Sequence, residues 1–337
     1  MPPSAGRVTI RDVAAAAGVS RGTVSRVLNG EGYVSDHARE AIERAVRTVG
    51  YVPNTAARNL ALNRSGAVGL VVHEPHELFL EDPNIGAILL GANEVLSTAD
   101  QQLVSLVIDS ERDTERVVRY LRGGFVDGAV VVSAREHDAL LDALQRTTLP
   151  TALVGRPPKG VEMPWVGIDN AGAAAAVTQL LVDQGRSRVG IIAVGLDRDS
   201  GSDRLAGFRS ALGPAFDPAL VVERPLYEYA AGRDAMRELL ERAPDVDGVF
   251  ATSDAVAAGA LEALLASGRR VPGDVALVGF DDSSWARRCR PALTTVRQPA
   301  RDLGAAAARL VLDQLAGIPA GPEGRLLPTE VVARDSA

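Results

Sequence analysis

Two textures of hydrophobic patterning divide the chain. Over the first fifty or so residues, apolar positions recur at helical spacing. Ile10, Val13, Ala14 and Ala17 share one face, preceded by Thr9 and, three residues on, Asp12, a capping-box pattern. Gly18 breaks that helix. Ser20 caps the next, in which Val24, Val27 and Leu28 point inward while Arg21, Gly22, Ser25 and Arg26 point outward. Asn29-Gly30-Glu31-Gly32 reads as a loop. Ser35 or Asp36 then opens a third helix with Ala38, Ala41, Ile42, Ala45, Val46 and Val49 as its inner stripe. Pro53-Asn54 begins a short segment running to Leu62, about two helical turns, which is marginal alone in water.

From Val68 onward, short β-branched runs alternate with helical stretches. The pattern predicts strands at 68–72, 103–108, 129–132, 152–154, 189–194, 249–251 and 275–280, with a last near 330–333. Helices are expected at 85–99, 114–122, 137–146, 171–184, 204–212, 231–242, 254–267 and 301–316. Such alternation predicts parallel sheets covered by helices on both faces. The units are too many for one compact sheet, so two sheets side by side are expected. Ligands in these folds sit beyond the carboxyl ends of the strands, which makes a cleft between two lobes the natural binding site.

Charge sharpens the division. Net charge is −7, which on its face argues against nucleic acid. Residues 1–64, however, carry nine arginines against five acids, a net of +4, leaving −11 on the remainder. A basic head on an acidic body is the asymmetry expected when only the head meets phosphate. Cys289 is the single cysteine, so neither an internal disulfide nor a cysteine-based zinc site is expected. No apolar run near the N-terminus suggests a signal peptide, and no stretch approaches membrane-spanning length, so a cytoplasmic protein is expected.

The helix, Gly18 turn, helix pattern fits a helix-turn-helix whose second helix enters the major groove. There Arg21 and Arg26 can each pair with guanine O6 and N7, and Gly22 allows close approach to a thymine methyl. The same pattern fits a helical hairpin with surface arginines. In the second region, polar clusters follow the strands: Glu74 and His76, Asp169-Asn170, Ser253-Asp254 and Asp281-Asp282, with Asp203-Arg204 ahead of a helix. Paired acids with an arginine suit hydroxyl-rich ligands. Phe79, Trp165, Tyr227 and Trp285 are candidates to stack on a sugar face. Asp169 and Asp254 fit equally as helix caps, and the tryptophans as packing residues. His73 and His76 lack further ligands at metal spacing, so no metal is expected. Enzyme motifs are missing: no Gly-rich phosphate loop follows a strand and no Gly-Xaa-Ser-Xaa-Gly is present.

The run Val8-Thr9-Ile10-Arg11-Asp12-Val13-Ala14 through Gly18-Val19-Ser20-Arg21-Gly22-Thr23-Val24-Ser25-Arg26-Val27-Leu28-Asn29 resembles the head of the lactose-repressor family, and so does Gly50-Tyr51-Val52-Pro53-Asn54 with Ala57-Arg58 and Leu60. Arg204-Leu205-Ala206-Gly207-Phe208, Val278-Gly279-Phe280-Asp281-Asp282 and Leu293-Thr294-Thr295-Val296-Arg297-Gln298 extend the likeness over essentially the whole chain. The resemblance implies base reading by Arg21, Gly22 and Arg26, and phosphate contacts by Thr9, Ser20, Thr23, Ser25 and Asn29. It implies a hinge helix from Asn54 through Ala57 and Arg58, with Leu60 wedged into a central base step of the minor groove. Family members often carry a polar residue where Gly22 stands.

In the core the resemblance marks Arg204, Tyr227, Ser253, Asp281 and Gln298 as effector-binding positions, beside the candidates Glu74, Phe79, Asp169 and Trp285. The acidic loop from Glu74 to Asn84, which includes Asp82, resembles a version found in relatives that sense plant oligosaccharides such as cellobiose. The expected architecture is an all-α helix-turn-helix head (1–52), a hinge helix and linker (53–65), and a two-lobed α/β core of two doubly wound parallel sheets like a periplasmic binding protein (66–337). Its lobes are expected at about 66–167 with 297–326, and 168–296 with 327–335. The implied function is a transcriptional repressor, not an enzyme and without a cofactor. It acts as a homodimer on a palindromic DNA operator, released by a sugar or oligosaccharide, and no leucine heptad tail suggests a tetramer. A nucleobase or nucleoside corepressor and a stand-alone sugar-binding protein are the alternatives. A purine would need stacking on both faces.

Overall fold

The computed structural model describes residues 8–29, 32–51 and 64–337. The expectations for the hinge, and with them Asn54, Ala57, Arg58 and Leu60, lie outside the described residues. The chain divides into two compact units, Met1–Ser65 and Gly66–Ala337.

The first unit holds three helices, α1 (Ile10–Ala17), α2 (Arg21–Asn29) and α3 (Asp36–Val49). Asp12 closes the start of α1 by accepting both the Thr9 backbone N–H (2.7 Å) and the Thr9 hydroxyl (2.8 Å). These bonds hold the Asp12 carboxyl below the usual range. Gly18 ends α1 at φ 67°, a left-handed position where glycine is favoured because it has no Cβ to clash. That turn swings α2 across α1, so Val13, Val24 and Ile42 meet in a small core with no exposed surface. The expected inward and outward faces of α1 to α3 are those observed.

The second unit has two parallel sheets. The first lobe carries strands β1 (Ala67–Val72), β2 (Gln102–Val107), β3 (Gly128–Val132), β4 (Thr151–Val154) and β5 (Trp165–Ile168). Helices α4 (His76–Glu81), α5 (Pro83–Thr98), α6 (Glu111–Arg122) and α7 (Ala139–Gln145) connect them. The second lobe continues with α8 (Asn170–Asp183), β6 (Val189–Val194), α9 (Asp199–Leu212), β7 (Val221–Arg224), α10 (Tyr229–Arg242), β8 (Gly248–Ala251), α11 (Asp254–Ala266), β9 (Ala276–Val278) and α12 (Ser284–Arg288). The chain closes with β10 (Thr295–Arg297), α13 (Ala300–Leu315), β11 (Gly324–Leu327) and β12 (Glu330–Val332).

The sheet orders are β11-β5-β4-β3-β1-β2 and β7-β6-β8-β9, with β10 and β12 forming an antiparallel pair. Central strands β1, β3, β6 and β8 are buried at every position, as strands covered on both faces must be. β11 returns late in the chain to pair with β5 in the first sheet, so the chain crosses between the lobes more than once.

The periodicity located the long elements to within a few residues, with two consequential exceptions. Helix α9 starts at Asp199 rather than 204, so Asp203 and Arg204 lie inside it and not ahead of it. Strands β5, β7, β10 and β11 and helices α4 and α12 have no counterpart in the pattern. They are three to six residues long and leave too short a run for a period to register.

Candidate functional site

In the first unit the outer face of α2 is polar. Arg21, Gly22 and Arg26 are exposed, with Thr23 and Ser25 half-buried beside them. The Ser20 hydroxyl accepts the Thr23 N–H at 3.1 Å and shares a 2.9 Å hydrogen bond with the Thr23 hydroxyl, so both residues serve first as the cap of α2. Thr9 is likewise engaged by Asp12. The structure therefore gives these three hydroxyls a local structural role that the phosphate-contact expectation had not separated. Asn29 ends α2. Tyr33, which the sequence pattern does not single out, is 93% exposed in the segment between α2 and α3. A lone tyrosine after Gly32 was its only signal.

In the second unit the loops beyond the carboxyl ends of the strands converge on a chamber of about 120 Å³. Six expected residues line it: Glu74, Asp82, Arg204, Tyr227, Asp281 and Gln298. Arg204 is central and 4% exposed. Its Nε donates to Asn170 Oδ1 at 3.0 Å, its Nη1 donates to the Thr252 carbonyl at 2.6 Å, and Nη1 lies 3.7 Å from Asp281 Oδ1. The guanidinium also sits 3.7 Å over the Phe280 ring. It is held there because α9 packs close: a Cβ on Gly201 would lie 2.2 Å from the Gly195 carbonyl oxygen, and one on Gly207 would lie 2.1 Å from that of Ala171.

Asp281 faces the chamber from a strained turn, with φ 115° at Asp281 and 53° at Asp282. Gln298 Nε2 donates to Asp281 Oδ1 at 2.7 Å. Burial pushes the Asp281 carboxyl well above its ordinary range despite the pull of Arg204. Burial likewise raises Asp82 to about 6, against the Asn84 N–H that it accepts at 2.8 Å. Asp254, behind the chamber, is pushed up to about 7 by burial while accepting the Thr295 hydroxyl at 2.6 Å and the Ser283 N–H at 2.7 Å. The Tyr227 hydroxyl lies 3.0 Å from Ser200 Oγ, and burial raises its pKa.

Four expected residues stand elsewhere. Ser253 and Trp285 line a small adjoining recess, where Trp285 stacks on Tyr229 at 5.6 Å and Ser253 caps α11. Two expectations need correction. Asp169 is exposed and caps α8 by accepting the Gly172 N–H at 2.8 Å; its neighbour Asn170 lines the chamber instead. Phe79 packs, half-buried, against the hydrophobic core, while buried Leu78 lines the recess, because neighbouring residues on a helix point about 100° apart and only one of the two can face it. Trp165 packs in the first lobe as well. His73 and His76 each lie 2.9 Å from a separate aspartate, Asp138 and Asp109. Arg198 and Asp199 also line the chamber; they lie ahead of the helix that the pattern starts at 204, so no periodicity marks them.

A helix-turn-helix unit joined to a two-lobed binding core defines a ligand-responsive DNA-binding regulator. Residues 9–54 match the model of the bacterial regulatory proteins of the lacI family, and residues 178–337 match a periplasmic binding protein-like domain. The chain is 43% identical over 336 residues to the HTH-type transcriptional regulator CelR of Thermobifida fusca, covering 98% of each. It matches a transcriptional regulator CelR–cellobiose complex with TM-score 0.78 and 42% identity, over 98% of this chain and 100% of that one. It matches the lac repressor dimer bound to operator and the anti-inducer ONPF with TM-score 0.86 and 25% identity, over 98% of each. The chain belongs to the lacI family of transcriptional regulators. Its named relatives are regulators rather than enzymes. Among the described residues, no helix is long and apolar enough to cross a membrane.

Proposed function

We propose that this protein is a cytoplasmic, homodimeric repressor released from a palindromic operator by a sugar or oligosaccharide. The observation that carries the effector class is the chamber lining. Buried Glu74 and Asp281 and half-buried Asp82 supply acceptors for sugar hydroxyls, and Arg198 and Arg204 supply fixed donors. Tyr227 is the one aromatic ring among the lining residues, whereas a purine would call for rings on both faces. The complex of a relative with cellobiose supports the same class.

On the head, Arg21 and Arg26 read guanines in the major groove, Gly22 admits a thymine methyl, and Thr9, Ser20, Thr23, Ser25 and Asn29 meet phosphates, with exposed Tyr33 a further candidate. Two-fold symmetric half-sites call for a dimer. The hinge from Asn54 through Ala57 and Arg58, with Leu60 as the wedge, bends the operator. Effector binding reshapes the cleft between the lobes and uncouples the hinges of the two protomers. This works only because the effector favours one lobe arrangement over the other.

Fluorescence anisotropy of a symmetric lacI-type operator, titrated with protein at fixed salt and repeated with neutral sugars and nucleosides, tests the reading. Tight binding abolished by one sugar is the expected result. Release by a nucleoside alone overturns the sugar class, and equal affinity for operator and random DNA overturns the regulator reading.

A further inference from the structure

The inner chamber ends at a ring of charge. One Glu74 oxygen accepts Arg198 Nη1, and the other accepts Arg135 Nη2 at 3.2 Å. Asp197 completes the ring, 3.3 Å from Arg135 Nη1 and 3.1 Å from Arg198 Nε. Glu74 and Arg135 follow β1 and β3 in the first lobe, and Asp197 and Arg198 follow β6 in the second, so the ring bridges the lobes. Arg198 is 4% exposed, yet its Nη2 has no hydrogen-bond partner among the described residues.

Beyond Glu74 lies a second, larger cavity of about 390 Å³, lined by the loops after β1, β2 and β3 and by Leu226. Glu74 lines both cavities. In the outer one, Asp138 is held by His73 and Asp109 by His76, while Glu111 and Glu136 are exposed and form no ion pair among the described residues.

We infer that the two cavities form one site for a linear, neutral oligosaccharide of three or more units, with the terminal unit in the inner chamber, the second at the Glu74–Arg198 junction and the third in the outer cavity beside Glu111 and Glu136. Three observations lead there. The inner chamber falls well short of the roughly 300–1,000 Å³ that ligand pockets usually offer, and only the outer cavity brings the site into that range. Carboxylates outnumber arginines in both compartments, which suits donor-rich hydroxyls and repels phosphorylated or acidic sugars. Arg198 lines the inner chamber and bonds Glu74, which lines both cavities, and its buried, unpartnered Nη2 is a spare donor for a ring or bridging oxygen once that contact loosens. A chain crossing there must loosen the Glu74–Arg198 contact between the lobes, so ligand length is converted into lobe movement. This inference rests on the sugar-effector reading.

The test is calorimetric titration of the full chain with neutral cello-, xylo- and malto-oligosaccharides of two, three and four units. In the series that binds, the trisaccharide should bind about tenfold tighter than the disaccharide. The double variant Glu111→Ala, Glu136→Ala should erase that gain and leave disaccharide affinity unchanged. Equal affinity for two and three units, or a variant that weakens both alike, overturns the two-cavity site while the sugar reading stands. If no series binds although operator binding is intact, the sugar reading falls and this inference with it.

Discussion

The head and the core use the same side chain in opposite ways. Arg21 and Arg26 on α2 stand exposed, with no ion pair among the described residues. Arg198 and Arg204 are each 4% exposed and are bound to carboxylates, an amide oxygen or a backbone carbonyl. An exposed guanidinium keeps its fork for a base edge, and can be lost without harm to the fold. A buried one is fixed by the protein before the ligand arrives, so it contributes to stability and binding together. Recognition of DNA and recognition of effector should therefore separate cleanly under mutation.

The largest effect tests the buried side. Arg204→Ala leaves Asn170 Oδ1 and the Thr252 carbonyl without their donor and Asp281 with Gln298 alone, and should destabilise the core by about 3–5 kcal/mol, with loss of effector response, read as melting temperature and as sugar-dependent anisotropy. A core of unchanged stability would erase the contrast. Next comes the exposed side. Arg26→Ala should weaken operator binding by about 1–3 kcal/mol and relax base preference, with the melting temperature of the core unmoved. Uniform weakening on every DNA sequence would make Arg26 a phosphate contact instead.

Asp12→Ala sharpens the comparison within the head. It removes the acceptor for the Thr9 N–H and hydroxyl and should cost about 1 kcal/mol of head stability, visible by hydrogen exchange in α1 and not in the core. The smallest effect concerns the cleft carboxylates. Asp82 in the fold titrates at about 6, above its ordinary value, so between about pH 4 and 6 the folded core holds a proton that the unfolded chain has released. Its contribution is most favourable below that window and declines as pH rises through it. Asp82→Asn keeps an N-cap acceptor and should flatten that decline, raising the melting temperature at neutral pH by a few degrees at most in a thermal scan across pH.

How much of this was legible differed by region. The capping of α1 and α2, the Gly18 turn and the inward faces of the head were readable because they depend on residues three or four positions apart. The core's long helices and central strands were readable because their apolar runs are long enough to carry a period. Asp169 and Phe79 were misplaced for the converse reason. Whether a polar residue after a strand caps the helix or faces the cleft, and which of two adjacent apolar residues on a single-turn helix turns inward, depends on neighbours far away in the chain. Arg198 escaped notice because its partner, Glu74, is 124 positions away.

Sequence alone determined the basic head, the acidic two-lobed body, the family and six of the residues that gather at the cleft, since charge distribution, periodicity and short motifs are local properties. Tertiary structure alone decided that Glu74, Arg135, Asp197 and Arg198 close into a ring between the lobes and divide the cleft into two cavities. Parallel sheets bring the ends of strands together only after long crossovers, so the contacts that shape this site join residues that no local pattern can pair.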